Sequence, residues 1–285
     1  MTVMVATGKT GATIFIFGDS TADVGTNTHL PTCTARANHR YHGIDYAYSK
    51  AIGRFSNGRN TADLIARLLG NYIVRPPPFL FLLSRNPTFK RNIQARISPG
   101  AGSPTAQGLK FRGAQSLYKA HNHIAWINKI KGSLHCARMF GIISTPQIGC
   151  CPAARPHNSS GGCLNDNARS FYKDMQSLLL DFSLLHQGFK YSLGNTYAMT
   201  MNVIENPRGN RFREVKASCC GDGTLFHGVT DCVVGAKLCS NRADFLLWDK
   251  FHPTEMASQI ATLTLVYGEG IQYVTPMNLS SLVMA

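Results

Sequence analysis

The chain has 285 residues, 44% of them hydrophobic and only 15% charged, which excludes an intrinsically disordered protein and allows a sizeable core. Its formal charge of +14 admits an anionic partner, but the basic residues are scattered in short clusters such as 89–96, FKRNIQAR, without interleaved aromatics. That pattern describes a solvated basic surface rather than a nucleic-acid site, and no nucleic-acid partner is expected. No stretch approaches the apolar length of a transmembrane helix.

The N-terminal MTVMVATGKTGAT has neither a basic leader nor a long apolar run, so no signal peptide is read there. Gly8-Lys9-Thr10 lacks the glycine at position 3 that a phosphate-binding loop needs, and a strand follows it rather than a helix. That strand, at about 12–18, ends in Gly18-Asp19-Ser20. These are turn formers, but they also put a hydroxyl at the carboxyl end of a strand, where open α/β sheets carry their sites. A loop rich in Gly, Asn and Thr leads to NTADLIARLLG, a helix starting near Asn60 or Thr61, with Leu64, Ile65, Leu68 and Leu69 on one face and Gly70 as its stop. Three prolines make RPPPFLFLL extended or loop. Residues 90–107 read as an insert or linker, GLKF as a short strand, and MFGIIS at 139–144 as a better one. NDNARSFYKDMQSLLLDFSLL is an amphipathic helix in which Ala168, Phe171, Tyr172, Met175, Leu178 and Leu179 recur at three and four. FKYSLGN is a third strand, and a turn at Phe251 to Thr254 precedes a closing helix. Strands alternating with helices predict an α/β fold with a mainly parallel sheet.

Nine cysteines are many for a reducing compartment. Cys150, Cys151 and Cys163 form one group; Cys219, Cys220, Cys232 and Cys239 form another; Cys33 and Cys136 stand apart. Zinc is the rival to disulfides, but there is no C-x-x-C pair and no H-E-x-x-H, so neighbouring pairs within the two groups are expected to bridge. Two N-x-S/T sequons, at Asn158 and Asn278, agree with a secreted glycoprotein.

Asp249 and His252 stand three apart in WDKFHPTE. Alone, such a pair reads as a helix cap beside a surface histidine. With a strand-end serine it supplies nucleophile, base and orienter. The stretches IFIFGDSTADVGTN, GRFSNGRNTADLIARLLG, FGIISTPQIGCCPAAR, CLNDNARSFYKDMQSLLLDF with FKYSLGNTYAMTMNVIENP, and CCGDGTL with LCSNRADFLLWDKFHPTE cover about two thirds of the chain. Together they resemble the plant GDSL esterase/lipases of the SGNH hydrolase superfamily. The resemblance implies a flavodoxin-like three-layer α/β sandwich, a secreted serine hydrolase of carboxylic or lipid esters, and no cofactor or metal. It makes Ser20 the nucleophile, His252 the general base and Asp249 its partner. One SGNH domain would span 1–285, with the nucleophile in 12–90, a degenerate or deleted region at 91–138, and Asp and His in 139–268.

The oxyanion hole departs from the family pattern. Ser20 is present, Gly113 is the nearest match for the family glycine, and nothing in 113–142 matches the GxND segment that carries the family asparagine. One central strand is therefore expected to be missing. Asn57 and Asn122 are the alternative donors. The competing expectation is an impaired family remnant that keeps at most a lipid- or glycan-binding cleft.

Overall fold

A computed structural model describes residues 16, 19–31, 33–70, 76–78, 138–164, 167–223 and 226–285. The strand expected at 12–18, apart from Ile16, the GLKF strand, the 90–107 linker and the expected gap in the sheet lie outside them. Helix α1, Thr61–Gly70, starts where its cap signal predicts. Asp63 N–H donates to Asn60 Oδ1 at 3.1 Å and Asn60 N–H donates to Asp63 Oδ2 at 3.2 Å. This reciprocal pair satisfies orphan donors at the helix start, as a capping box does.

Strand β1, Met139–Ile143, is followed by helix α2, Ala168–Leu185, and strand β2, Lys190–Gly194. β1 and β2 pair in parallel, Met139 facing Lys190 and Ile143 facing Gly194. Helix α3, Thr196–Glu205, leads to strand β3, Glu214–Ser218, then the short strands β4, Cys220–Gly221, and β5, Lys237–Leu238. Strand β6, Phe245–Leu247, runs parallel to β3, and helix α4, Glu255–Tyr267, follows it. Strand β7, Val274–Thr275, joins the free edge of β2 in antiparallel fashion, and helix α5, Leu279–Met284, ends the chain's described part.

Side-chain alternation along β1 sorts the layers. Phe140 and Ile142 share a core with Tyr172, Met175, Leu179 and Phe182 of α2 and with Tyr191 and Leu193 of β2. Ile143 and Met139 face the other way, toward Ile65 of α1, Leu265 and Val266 of α4, and Leu279 and Leu282 of α5. Helices thus cover both faces of a parallel strand pair, which makes the fold a layered α/β sandwich. Gly194 leaves room for α4: a Cβ there would lie 2.2 Å from Leu265 Cδ2, so any larger residue would have to displace that side chain.

Among the described residues, three disulfides link Cys150–Cys163, Cys219–Cys239 and Cys220–Cys232, each within one of the two expected groups. Both sequon asparagines have structural partners. Asn158 Nδ2 donates to Cys163 O, and Asn278 caps α5 through Ser281 N–H.

The segment before α1 is organised by one ion pair. Arg54, 1% exposed, donates to Asp63 through Nε at 3.0 Å and Nη2 at 2.6 Å, and its remaining N–H groups reach Val24 O, Ile52 O and Pro76 O. Asp63→Asn retains a cap acceptor for α1 but leaves the guanidinium buried without its counter-charge. Urea denaturation should show a loss of about 3–5 kcal/mol. A loss below about 1 kcal/mol, the range of surface pairs, would contradict this assignment.

Candidate active site

Asp19 builds the turn that carries Ser20. Its carboxylate accepts from Thr21 N–H at 2.9 Å and from Thr21 Oγ1 at 2.6 Å, and its carbonyl accepts from Ala22 N–H at 3.0 Å. The 3-10 turn Ser20–Ala22 follows, with Ser20 half-buried at its first position.

The second part of the site lies between β6 and α4. Trp248 N–H donates to His252 O at 2.7 Å and Thr254 N–H to Leu246 O at 3.1 Å, so the chain doubles back on β6. Within this loop Asp249 Oδ1 accepts from the N–H groups of Phe251 and His252, both at 2.9 Å. The same carboxylate takes His252 Nδ1 at 2.7 and 2.8 Å. A three-residue spacing is what permits this: the aspartate caps its own turn and meets the ring that the turn delivers. Thr254 then caps α4 by accepting from Ala257 N–H.

The two parts meet through His252 Nε2, which lies 2.7 Å from Ser20 Oγ across 232 residues of sequence. An ionised Asp249 only accepts, so Nδ1 carries the ring proton and Nε2 is left to accept from the serine hydroxyl. Burial works against a charge on His252. The charge and hydrogen bond of Asp249 outweigh it, with Asp19 and Asp231 adding, and hold its pKa above the ordinary 6.5. Burial likewise pushes Asp249 upward, but His252 overcomes this and keeps the carboxyl below its ordinary 3.8. Such a chain can accept a proton from Ser20 and hold the resulting imidazolium.

Cystine-bearing segments buttress the turn. Cys219 N–H donates to Leu247 O at 3.0 Å, Cys220 N–H to Trp248 O at 2.7 Å, and Ala153 N–H, inside the loop closed by Cys150–Cys163, to Lys250 O at 3.3 Å. A second support comes from residues 42–59, in which sequence reasoning named Asn57 but not His42, Phe55 or Arg59. Phe55 stacks on the His252 ring, Trp248 Nε1 donates to His42 Nδ1 at 3.3 Å, and Arg59 pairs with Glu255 at 3.2 Å. The signal was present, since GRFSNGRN is one of the stretches that carry the family resemblance.

Ser20, Asp249 and His252 therefore converge. Gly113 and Asn122 lie outside the described residues. Asn57, the alternative donor among the described residues, is held by protein groups. Its Nδ2 donates to Asp45 at 2.7 Å and its Oδ1 accepts from Glu255 N–H at 2.8 Å, so it ties its loop to the start of α4.

Comparison with known proteins agrees with this arrangement. The sequence model of the GDSL-like Lipase/Acylhydrolase family matches residues 89–263, more than half the chain, including Asp249 and His252 and running through the segment expected to be degenerate. Among Arabidopsis thaliana proteins, GDSL esterase/lipase At5g37690 is 29% identical over 86% of this chain and 86% of its own length. GDSL esterase/lipase At5g55050 is 29% identical over 98% and 92%, and GDSL esterase/lipase LTL1 is 28% identical over 94% and 89%. These alignments extend over 309, 349 and 330 positions, more than the 285 residues present, so the relatives carry segments that this chain lacks. The chain belongs to the GDSL-like lipase/acylhydrolase family.

Proposed function

We propose that this family member is a serine hydrolase of carboxylic esters, and the observation that carries the reading is the continuous path from Ser20 Oγ through His252 to Asp249. Ser20 attacks the acyl carbon while its proton passes to His252 Nε2. The imidazolium then protonates the departing alkoxide as the C–O bond breaks, leaving an acyl ester on Ser20. Water, deprotonated by the same ring, attacks that ester, and the returning proton restores the hydroxyl. Ser20 N–H and Gly113 N–H are the proposed donors to the oxyanion. Three disulfides support a secreted protein acting in an oxidising compartment.

The segments missing relative to the curated relatives favour a second reading, an impaired family member acting at most as a lipid- or glycan-binding protein. Losing one oxyanion donor lowers turnover by about 10² to 10³. The hydrolase reading therefore expects slow cleavage of activated aryl esters and very little of long-chain lipid esters. A fluorophosphonate should label Ser20, as located by peptide mass mapping, and Ser20→Ala should remove both label and turnover. Label elsewhere or none at all would favour the second reading.

The pH dependence has a defined sign. Only neutral His252 accepts the serine proton, and its pKa lies above 6.5, so most of the ring is protonated at pH 6.5. On aryl esters kcat/KM should rise with pH, with its midpoint above 6.5. Asp249→Asn removes the charge that raises this pKa and the acceptor that fixes the tautomer. The midpoint should move down, and kcat should fall by about 10⁴. A midpoint that stays in place would show that His252 is not the titrating base.

A further inference from the structure

The edge of the His252 ring is used by Ser20 and Asp249, and one of its faces is covered by Phe55. The two ring centroids are 4.7 Å apart and the planes lie 24° from parallel. Phe55 is carried to that place by a fixed junction. Arg54 before it is locked to Asp63, Asn57 after it is tied to Glu255 N–H, and Gly53, at φ +75, makes the turn into the segment. On its other contacts Phe55 meets His42, ring to edge, at 5.7 Å. Burial pushes the pKa of His42 down to about 4, so this second ring stays neutral while His252 titrates.

We propose that Phe55 is a positioning residue that stabilises the imidazolium form of His252 through the negative face of its ring. The inference rests on His252 being the general base of the proposed hydrolase. A neutral imidazole gains packing from Phe55, as it would from any apolar side chain. An imidazolium gains in addition the attraction between its charge and the ring quadrupole, which acts within about 6 Å of the centroid. In the active form, whose His252 is neutral at rest, the ring becomes cationic only while Ser20 is attacking or being released. The added attraction therefore belongs to the transition states and raises kcat rather than lowering KM. Asp249 from the same turn, Asp19 from the Ser20 segment and Asp231 from the disulfide loop also favour the cation, while His42 faces Phe55 from the far side. None of these changes when the electron density of ring 55 is altered.

The experiment replaces Phe55 by its mono-, di- and trifluorinated analogues, which keep the shape and drain the face. On an activated aryl ester kcat should fall stepwise, by about 3- to 30-fold at the trifluoro stage, with KM unchanged. In step with it, the His252 pKa, read from its imidazole NMR signals, should fall. Phe55→Tyr should retain both values. The titration needs no turnover and can be repeated in Ser20→Ala, so it separates the two ideas. Absence of esterase activity would remove the hydrolase reading while the pKa series still decides the role of Phe55. A flat pKa series overturns the proposal, and so does a kcat that falls while the pKa stays fixed, since packing alone would then account for it.

Discussion

The site depends on one carboxylate oxygen doing two jobs. Asp249 Oδ1 closes the backbone turn through Phe251 and His252 N–H and also receives the ring nitrogen that the turn presents. A buried carboxylate with no donors would be protonated rather than ionised. Here each donor that shapes the loop also stabilises the charge. Folding of the turn and orientation of the imidazole are therefore a single event, and the loop needs no regular secondary structure to hold the ring.

That turn is short, and its surroundings keep it in place. Buried backbone carbonyls must be paired, and those of Leu247, Trp248 and Lys250 are paired by N–H groups from the disulfide-bearing segments. The cystines constrain the unfolded chain, but their location adds a local effect. Cys219 and Cys220 are adjacent, each is bridged to a different residue, and they donate to the last residue of β6 and to Trp248 after it, on the path to Asp249. The cystine-bearing segments thus bear on the geometry of the site as well as on general stability.

Much of the scaffold was legible because its elements bury periodic apolar faces. α1 and α2 carry such patterns, β1 and β2 read as short buried runs, and α1 announces its start with Asn60. α3 does not: only Val203 is buried among its ten residues, so no stripe marks it. β3 and β6 pair over a few residues with an irregular register, and α5 has six residues, too few to show a period. The same physics divides the site. Asp249 and His252 interact across three residues, and that local spacing can be read. Phe55, Asn57 and Arg59 act on partners nearly two hundred residues away, and no local rule encodes such a pairing. Cysteine grouping located the disulfides, whereas the choice of Cys219–Cys239 and Cys220–Cys232 over the crossed pairing is set by the β4–β5 ladder, in which Cys220 faces Leu238.

The segment from 42 to 60 links these levels. Its anchor is the Arg54–Asp63 pair, which fastens it to α1; its far end is Asn57 and Arg59 on α4; and between them Phe55 rests on His252. α1 and α4 also pack against each other on one face of the sheet. The loop is therefore fixed at both ends to helices that are themselves fixed together, and Phe55 has no independent freedom to leave the imidazole. Asn60 completes the circuit by donating to Asp23 O, three residues beyond Ser20. Nucleophile segment, aromatic platform and histidine turn are held in one connected frame. Their mutual distances follow from the packing of α1 on α4 together with the contacts inside the site.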